Sequence, residues 1–338
     1  MVKRLFYLAV GAMAFTACTS EDVVDDAVVS RNQIKFENVV SKLSRADIDN
    51  SMSKFNVSGY YTLKGGAVFN QVFDNTPVEK DGTDWKVASS AERYWVPGAN
   101  YYFYAYSYGD GTTSLDATLN ASHELEIADF VCDNANDLVF AANIAGIEGK
   151  ETGNAPVALQ FKHILSKIKT NFISTFPSEY QVVVSNVKVS DVANKGSFNS
   201  ADADYWKNVA AAESSSFALL DGENTLSIQN AEGAKQADAT GYAYVMPNKY
   251  TENISVEFTI ELYYNEGDVS EKVMTRTLKG SFAPDWKQGY TYIYNIELNG
   301  STTNMEVISF TVEKVDAFGN PVDDAEDPNI TKFETVTE

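Results

Sequence analysis

Residues 254–278, ISVEFTIELYYNEGDVSEKVMTRTL, carry the pattern that decides the fold class. Apolar and polar side chains alternate from residue 254 to residue 264, so one face of an extended strand carries Ile254, Val256, Phe258, Ile260 and Leu262. The segment Asn265–Asp268 contains a glycine and has the composition of a turn, and a second run follows it. Two runs joined in this way predict a β-hairpin with one buried face.

The same alternation recurs along the chain, whereas helical periodicity is rare. Further predicted strands are YYFYAYSY at 101–108, VVVSNVKV at 182–189, YTYIYNIEL at 290–298 and the strand that carries Ile308, Phe310 and Val312. Only two short helices are predicted, near His163–Ile168 and near Asp202–Ala212. Strands at this spacing, with turns between them, predict an all-β chain of antiparallel sandwiches.

A polar, turn-rich segment divides the predicted strands into two groups. Residues 148–156, EGKETGNAP, mark the expected boundary between an N-terminal β-sandwich domain at 31–155 and a C-terminal one at 156–318. Residues 319–338 form an acidic tail with weak strand potential at 330–336. A chain of 338 residues is long enough for two domains of this size.

The first 18 residues, MVKRLFYLAVGAMAFTAC, have the layout of a secretory signal. A short apolar run that ends in small residues and then Cys18 resembles the lipobox of bacterial lipoproteins, in which the cysteine is acylated. Several acyl chains on one residue would make membrane attachment practically permanent. The alternative is an ordinary cysteine beside a plain cleavage site. Residues 19–30 form an acidic tether, and an acidic run at this place resembles the surface-sorting signal of some Gram-negative anaerobes.

Composition argues against several classes of function. With 26 basic and 47 acidic side chains the formal charge is −21, so nucleic-acid binding is not expected. Two cysteines and two histidines leave no zinc site, no cofactor motif is present, and Cys132 has no partner if Cys18 is acylated. His163 is interpreted as a structural histidine, and no enzymatic activity is expected.

Five segments in order resemble the fimbrillin family, the major- and minor-fimbrillin-like pilus subunits of Gram-negative gut and oral anaerobes. They are the lipobox at Cys18, YWVPG at 94–98 before the aromatic strand, LQFKHILSKI at 159–168, YVMP at 244–247 and DWKQGYTY at 285–292. The resemblance implies two tandem transthyretin-like β-sandwiches and export as a lipoprotein to the surface of the outer membrane through the lipid on Cys18. It also implies assembly with other fimbrial subunits into adhesive filaments, which would meet a ligand on a host or bacterial surface.

The family's assembly route implies a proteolytic cut and a strand exchange. A trypsin-like protease cuts after a basic residue near the N-terminus, which removes the first strand, and a strand of another subunit fills the groove. Arg31 precedes the predicted first strand, QIKFEN at 33–38, and Arg45 follows it. Cutting after Arg45 removes Ile34 and Phe36, whereas cutting after Arg31 leaves them, so Arg45 is favoured. The alternative is that both are ordinary surface arginines.

Two segments compete for the role of donor strand. Residues 305–318 place Ile308, Phe310 and Val312 at the spacing of alternate pockets. The alternative is that this strand completes its own sheet and that residues 328–338 are the donor. A different class of function also stays open, that of a cell-surface lipoprotein that binds glycans without polymerising.

Overall fold

Almost all of the regular structure in the computed structural model of the protein is β-strand. The structure describes residues 32–38, 52–109, 111, 113–210, 215–230, 236–299, and the backbone of 306–315 and 333–335. Among these residues the only helix is a single 3₁₀ turn at Ser89–Ala91, and no helix has the length and apolar character needed to cross a membrane.

Within the residues that the structure describes, the first half of the chain contributes ten strands. They are β1 Phe36–Asn38, β2 Lys54–Leu63, β3 Phe69–Asp81, β4 Asp84–Val87, β5 Ala99–Tyr108, β6 Ala117–Leu119, β7 Leu125–Val131, β8 Leu138–Glu148, β9 Val157–Leu159 and β10 Lys162–His163. The second half contributes fifteen strands within the described residues. They are β11 Ser166–Ser174, β12 Tyr180–Ser190, β13 Lys195–Asn199, β14 Trp206–Ala210, β15 Ser216–Leu220, β16 Leu226–Gln229, β17 Ala237–Ala239, β18 Ala243–Val245, β19 Asn248–Lys249, β20 Ile254–Glu266, β21 Val269–Phe282, β22 Asp285–Trp286, β23 Thr291–Asn299, β24 Glu306–Val315 and β25 Phe333–Thr335.

An eight-stranded sheet in the order β10-β8-β5-β2-β3-β4-β1-β9 organises the first half. Its pairs are antiparallel except that of β1 with β9, which is parallel. The sheet buries an apolar cluster, here called the first core, which includes Phe36, Phe55, Phe73, Trp95, Tyr101 and Phe103. The aromatic strand β5 is buried on both faces, because alternate residues from Tyr104 to Tyr108 pack into a second cluster on the other side.

That second cluster, here called the bridging core, joins the two halves of the chain. A four-stranded sheet in the order β14-β13-β7-β6 supplies one side of it, so strands from both halves share one sheet. Phe140 of β8 contacts Phe198 of β13 edge-on, with ring centroids 4.9 Å apart. The indole N–H of Trp206 donates a hydrogen bond to the carbonyl oxygen of Ile164 at 2.7 Å. The division into domains at 31–155 and 156–318 therefore stays a prediction.

Two facing sheets form a sandwich in the second half. One has the order β17-β11-β23-β24, and the other has the order β15-β12-β20-β21-β25. Phe172 and Phe258 meet between them with ring centroids 4.9 Å apart, inside a buried cluster of Val, Ile, Leu and aromatic side chains. Sheets of this kind confirm the predicted all-β class and agree with a sandwich architecture.

The two predicted helices are wrong. The region near His163–Ile168 is extended, and β11 places Ile168, Thr170 and Phe172 in the interior at period 2. Around Asp202–Ala212 a turn leads into β14. Each segment is too short for its sequence to distinguish the helical repeat of 3.6 residues from the strand repeat of 2 residues. Pairing with distant strands therefore decides the conformation.

Candidate functional site

The segment 32–38, whose last three residues form β1, lies inside the first half of the protein. Ile34 is 2% exposed and Phe36 is 4% exposed, whereas Lys35 and Glu37 between and beyond them are exposed. This alternation is that of a strand with one face in a core. Of the predicted first strand at 33–38, residues 36–38 form β1 and Gln33 forms an isolated bridge with Tyr94, while Ile34 and Phe36 are both buried.

Hydrogen bonds hold this segment along both of its edges. On one edge, the amide of Trp95 donates to the carbonyl of Asn32 at 2.9 Å, and the amide of Ile34 donates to the carbonyl of Arg93 at 2.8 Å. On the other edge, the amide of Val157 donates to the carbonyl of Lys35 at 2.7 Å, and β1 continues beside β9 in parallel register. If this segment were removed, the backbone groups that pair with it on both edges would lose their hydrogen-bond partners.

Phe36 occupies the centre of an aromatic pocket. Its ring lies edge-on to Phe55, Phe73 and Phe103, at centroid distances of 6.1, 5.4 and 5.7 Å. Edge-to-face contacts of this kind add to the stabilisation that burial alone provides. The pocket around Phe36 and the buried site of Ile34 form one apolar slot, here called the first-strand slot. Residues 32–38 of the same chain fill it.

The first-strand slot is closed less tightly towards β4. In the described part of the chain, β1 and β4 pair only at Phe36 and Trp85, and a cavity of about 510 Å³ lies beside residues 33–37 and 83–87. At the start of the segment, the side-chain amide of Asn32 donates to the carbonyl of Lys150 at 2.9 Å and to Oδ1 of Asn154 at 2.7 Å. Strand β9 and these loop contacts were not foreseen from the sequence, although Val157 and Leu159 show the alternation of a buried strand.

The proposed donor residues lie in a different sheet. Strand β24 pairs antiparallel with β23, so Phe310 lies opposite Ile296 and Val312 lies opposite Tyr294. Ile308 falls at a register shift between the two strands. Within the described residues, β24 is an edge strand of its sheet. The tail forms β25, which pairs with β21 at the edge of the facing sheet.

The remaining predicted site residues fall outside the described residues. They are Cys18, Arg31 and Arg45. Arg31 immediately precedes the first described residue, Asn32. Arg45 lies in the segment that connects the end of β1 to Met52, which is buried in the first core.

His163 and Cys132, the two titratable groups singled out in the sequence, are both largely buried in the structure. Nδ1 of His163 contacts the Asp137 carboxylate, and both side chains are mostly buried. Burial raises the pKa of the Cys132 thiol to about 12, so the thiol stays protonated and unreactive. No group of three or more His, Cys, Asp or Glu side chains suited to a metal ion is present in the described part of the chain.

Comparison with known proteins yields relatives at the level of family and of solved structures. No curated protein sequence matches the chain. A candidate cell adhesion protein from Bacteroides uniformis is 16% identical, with 84% of this chain and 97% of that chain covered and a TM-score of 0.43. One from Bacteroides ovatus is 15% identical, with 85% and 97% covered and a TM-score of 0.43. The fimbrial anchor protein Mfa2 from Porphyromonas gingivalis is 10% identical, with 86% and 99% covered and a TM-score of 0.30.

A family match decides the assignment. The sequence model of the family described as fimbrillin-like matches residues 44–314, which is well over half of the chain. The match extends from the segment that contains Arg45 through nearly all of β24, and it confirms the resemblance inferred from the sequence motifs. The chain belongs to the fimbrillin-like family.

Proposed function

We propose that this chain is a fimbrial subunit that is exported as a lipoprotein and assembled by donor-strand exchange, and that it serves cell adhesion. Family membership supports the coarser role of a pilus- or adhesin-type subunit at the cell surface, structural rather than catalytic. The single observation that carries the finer proposal is the first-strand slot. Its occupant is a terminal segment, paired on both edges, with Ile34 and Phe36 buried.

The first-strand slot has the physical properties that strand exchange requires. Removing residues 32–38 exposes the pocket around Phe36 and unpairs backbone groups of residues 93–95 and β9. Burial of one large apolar side chain stabilises by about 1.5–3 kcal/mol, and unpaired buried backbone groups add their own cost. An empty slot is therefore a strong acceptor for a strand from another subunit, and the filled slot releases that strand slowly.

In this proposal, proteolysis is what empties the first-strand slot. A cut after Arg45 severs the chain between β1 and Met52, so the first strand is held only by noncovalent contacts and can be displaced. A cut after Arg31 leaves Ile34 and Phe36 attached to the rest of the subunit. We therefore assign the productive cut to Arg45, with Arg31 as the competing site.

Cys18 supplies the route to the cell surface. Acylation of Cys18 would hold the unprocessed subunit on the outer membrane, with residues 19–30 as an acidic tether, and the cut would release it into the fimbrium. The partners are further fimbrial subunits, and the adhesive filament would meet a host or bacterial surface ligand. The N-terminal sandwich, proposed at 31–155 and completed at its slot by β9 at 157–159, then accepts the donor. The rest of the C-terminal sandwich at 156–318, with its acidic tail at 319–338, supplies it.

Processing variants test this proposal directly. Full-length protein, Arg45→Ala and Arg31→Ala should be compared after cleavage by an arginine-specific protease, which spares Lys42 in the same segment, with multimers resolved on unboiled gels and their N-termini identified by mass spectrometry. We expect Arg45→Ala to remain monomeric and Arg31→Ala to form the same ladder as the unchanged protein. Multimers that retain an intact acylated N-terminus would contradict the processed-subunit route and favour a membrane anchor role.

A second candidate function is that of a surface lipoprotein that binds glycans without polymerising. One observation favours it: Phe69 is 45% exposed and stacks on His123, with ring centroids 3.5 Å apart. An exposed, positioned aromatic ring offers a face to the C–H groups of a sugar. This function predicts saturable sugar binding that Phe69→Ala abolishes, together with monomers only on unboiled gels after cleavage.

A further inference from the structure

Two lysines and two tyrosines form a cluster on the outer face of the sandwich in the second half, here called the lysine–tyrosine cluster. Its members are Lys167, Lys169, Tyr242 and Tyr244. In the antiparallel register of β11 with β18, Lys167 lies opposite Tyr244, and the next residue of β11, Ile168, is buried in the core. Because side chains alternate along a strand, the lysines point away from the core, and Tyr242 comes level with Lys169.

Two ammonium groups share the ring of Tyr242. Nζ of Lys167 lies 4.6 Å from the centroid of this ring, and Nζ of Lys169 lies 4.9 Å from it. Nζ of Lys167 is also 5.5 Å from the ring centroid of Tyr244. Attraction to the ring faces offsets the repulsion between the two like charges, so both charges are held beside one aromatic ring.

This concentration of positive charge contrasts with the rest of the chain, whose formal charge is −21. Several other lysines pair with carboxylates, namely Lys54, Lys86, Lys195, Lys207, Lys249 and Lys272. Among the residues that the structure describes, no carboxylate forms such an ion pair with Lys169. An anion beside the two ammonium groups would supply the missing countercharge, and the acidic surface elsewhere would repel it.

The ring of Tyr242 requires more of a ligand than a negative charge. Tyr242 is 49% exposed, so part of its ring is open to a ligand. A simple anion gains nothing there, because the face of an aromatic ring is negative, whereas the C–H groups of a sugar pack well on such a face. The neighbouring backbone is held in place, since the amide of Tyr244 donates to the carbonyl of Asn134 at 2.9 Å. The carbonyl of Tyr244 also accepts from the side-chain amide of Asn134 at 2.8 Å.

We propose that the lysine–tyrosine cluster binds an acidic sugar. The carboxylate or sulfate group of the sugar lies at Lys167 and Lys169, and its C–H groups pack on Tyr242. This site is in a different sheet from the exposed ring of Phe69, which lies on β3. The inference names a ligand class for an adhesive subunit and rests on the proposed function for its biological meaning, but binding itself requires neither cleavage nor assembly.

Saturation-transfer NMR on the uncleaved full chain with Cys18→Ser tests this inference. The probes are sialyllactose, sulfated lactose and lactose, and hexaglutamate represents an acidic peptide. We expect at least one acidic sugar to bind about tenfold more tightly than lactose, because only the acidic sugars make charge-assisted contacts with the lysines. Added salt should weaken the binding of the acidic sugar.

Variants of the cluster separate the contribution of charge from that of the ring. Lys167→Gln with Lys169→Gln should weaken binding of the acidic sugar about tenfold, and Tyr242→Ala about fivefold, whereas Tyr242→Phe should preserve it. The matched control is Lys188→Gln with Lys279→Gln, which removes the same charge from two exposed lysines of the facing sheet. Circular dichroism checks that each variant folds.

The remaining outcomes separate this inference from the proposed function. Equal affinity for lactose and both acidic sugars, or an equal loss of binding in the control variant, would overturn the inference. Binding of hexaglutamate that exceeds that of both sugars and is unchanged by Tyr242→Ala would overturn it in favour of an acidic peptide. Binding of only one acidic sugar supports it and identifies the recognised group. Absence of all binding, while the cleaved protein forms multimers, would overturn the inference and leave the proposed function standing.

Discussion

Phe103 lies directly over Gly59 on the neighbouring strand, and the same ring stands edge-on to Phe36 at a centroid distance of 5.7 Å. A Cβ atom built on Gly59 would lie 2.7 Å from Cδ1 of Phe103. Because Gly59 has no side chain, Phe103 can pack against it and form one wall of the pocket that holds the first strand. The packing of the strand in the slot depends on the absence of a side chain on β2.

A methyl group at this position should disturb the pocket. Gly59→Ala forces Phe103 or the strand to shift, and overpacking of this kind costs about 1–3 kcal/mol. Thermal denaturation should show the loss as a lower Tm. Gly241→Ala is the matched control, because a Cβ there would meet nothing within 4 Å and its φ is not positive. Equal Tm values for the two variants would contradict the close approach of Phe103 to Gly59.

Truncation of Phe36 should destabilise the unprocessed subunit and ease displacement of its first strand. Phe36→Ala removes a buried ring from contact with three others, at a cost of about 3–5 kcal/mol. Urea denaturation measures this cost, with Glu37→Ala on the exposed side of the strand as the control. Cleaved Phe36→Ala protein should also assemble faster than cleaved unchanged protein. Slower assembly would indicate that displacement of the strand does not limit the rate.

A charge on the proposed donor should stop filament growth in one direction only. Phe310→Asp would place a carboxylate in the aromatic pocket of the acceptor, and desolvation of that charge opposes insertion. The cleaved variant should still accept a strand, so adding it to unchanged protein should shorten the ladders on unboiled gels. Thr311→Asp, one position away, should leave ladder length unchanged. Circular dichroism of the uncleaved variant checks that it folds, and full-length ladders made of Phe310→Asp alone would refute the role of Phe310.

The buried thiol predicts a defined dependence on pH. Burial raises the pKa of Cys132 from 9.0 to about 12. Unfolded chains lose this proton near pH 9 and folded chains keep it until about pH 12, so the thiol's contribution to stability is complete below pH 9 and is lost between those values. In a Cys18→Ser background at pH 8, the lower thiolate fraction alone should slow labelling of Cys132 by roughly a hundredfold or more relative to an ordinary thiol. A cysteine introduced at the exposed Ser122 is the comparison, and equal labelling rates would show that Cys132 is not buried.

Cleavage of the loop at 148–156 should leave the two halves together. Strand β7 pairs with β13, the amide of Cys132 donates to the carbonyl of Asn194 at 2.8 Å, and the bridging core spans both halves. A protease site inserted between Glu151 and Thr152 can be cut in the folded protein. Gel filtration should then give the unchanged size in buffer and two fragments in denaturant. Separation in buffer would indicate that the bridging core contributes little.

Local features of the fold could be read from the sequence because they depend on neighbours in the chain. The hairpin at 254–278 is confirmed: β20 and β21 pair from Ile254 to Glu266 around a turn in which Gly267 has a φ of +59°. Period-2 alternation and a glycine turn specify such a hairpin without distant contacts. The first strand could be found in the same way, because Ile34 and Phe36 alternate with charged residues.

Long-range pairing could not be read in this way. The parallel pairings of β1 with β9 and of β11 with β23 join segments more than 100 residues apart, and periodicity gives no information on partners. Burial of both faces of β5 also escaped prediction, because it requires the sheet that carries Phe130 and Phe198 to cover the second face. The first-strand slot is bounded by β9 and residues 93–95, so its shape depends on tertiary structure. The strand that fills it could be recognised from the local sequence alone.

The direction of the first strand has a mechanical consequence. Residues 32–38 run alongside Arg93–Trp95 on one edge and β9 on the other, with hydrogen bonds to both neighbours. Force applied along the axis of such a strand loads every bond of both ladders in shear at once, whereas force applied across it would open them one after another. A donor in the same orientation would inherit this geometry, so the joint between two subunits would resist a pull along the strand more strongly than a pull across it.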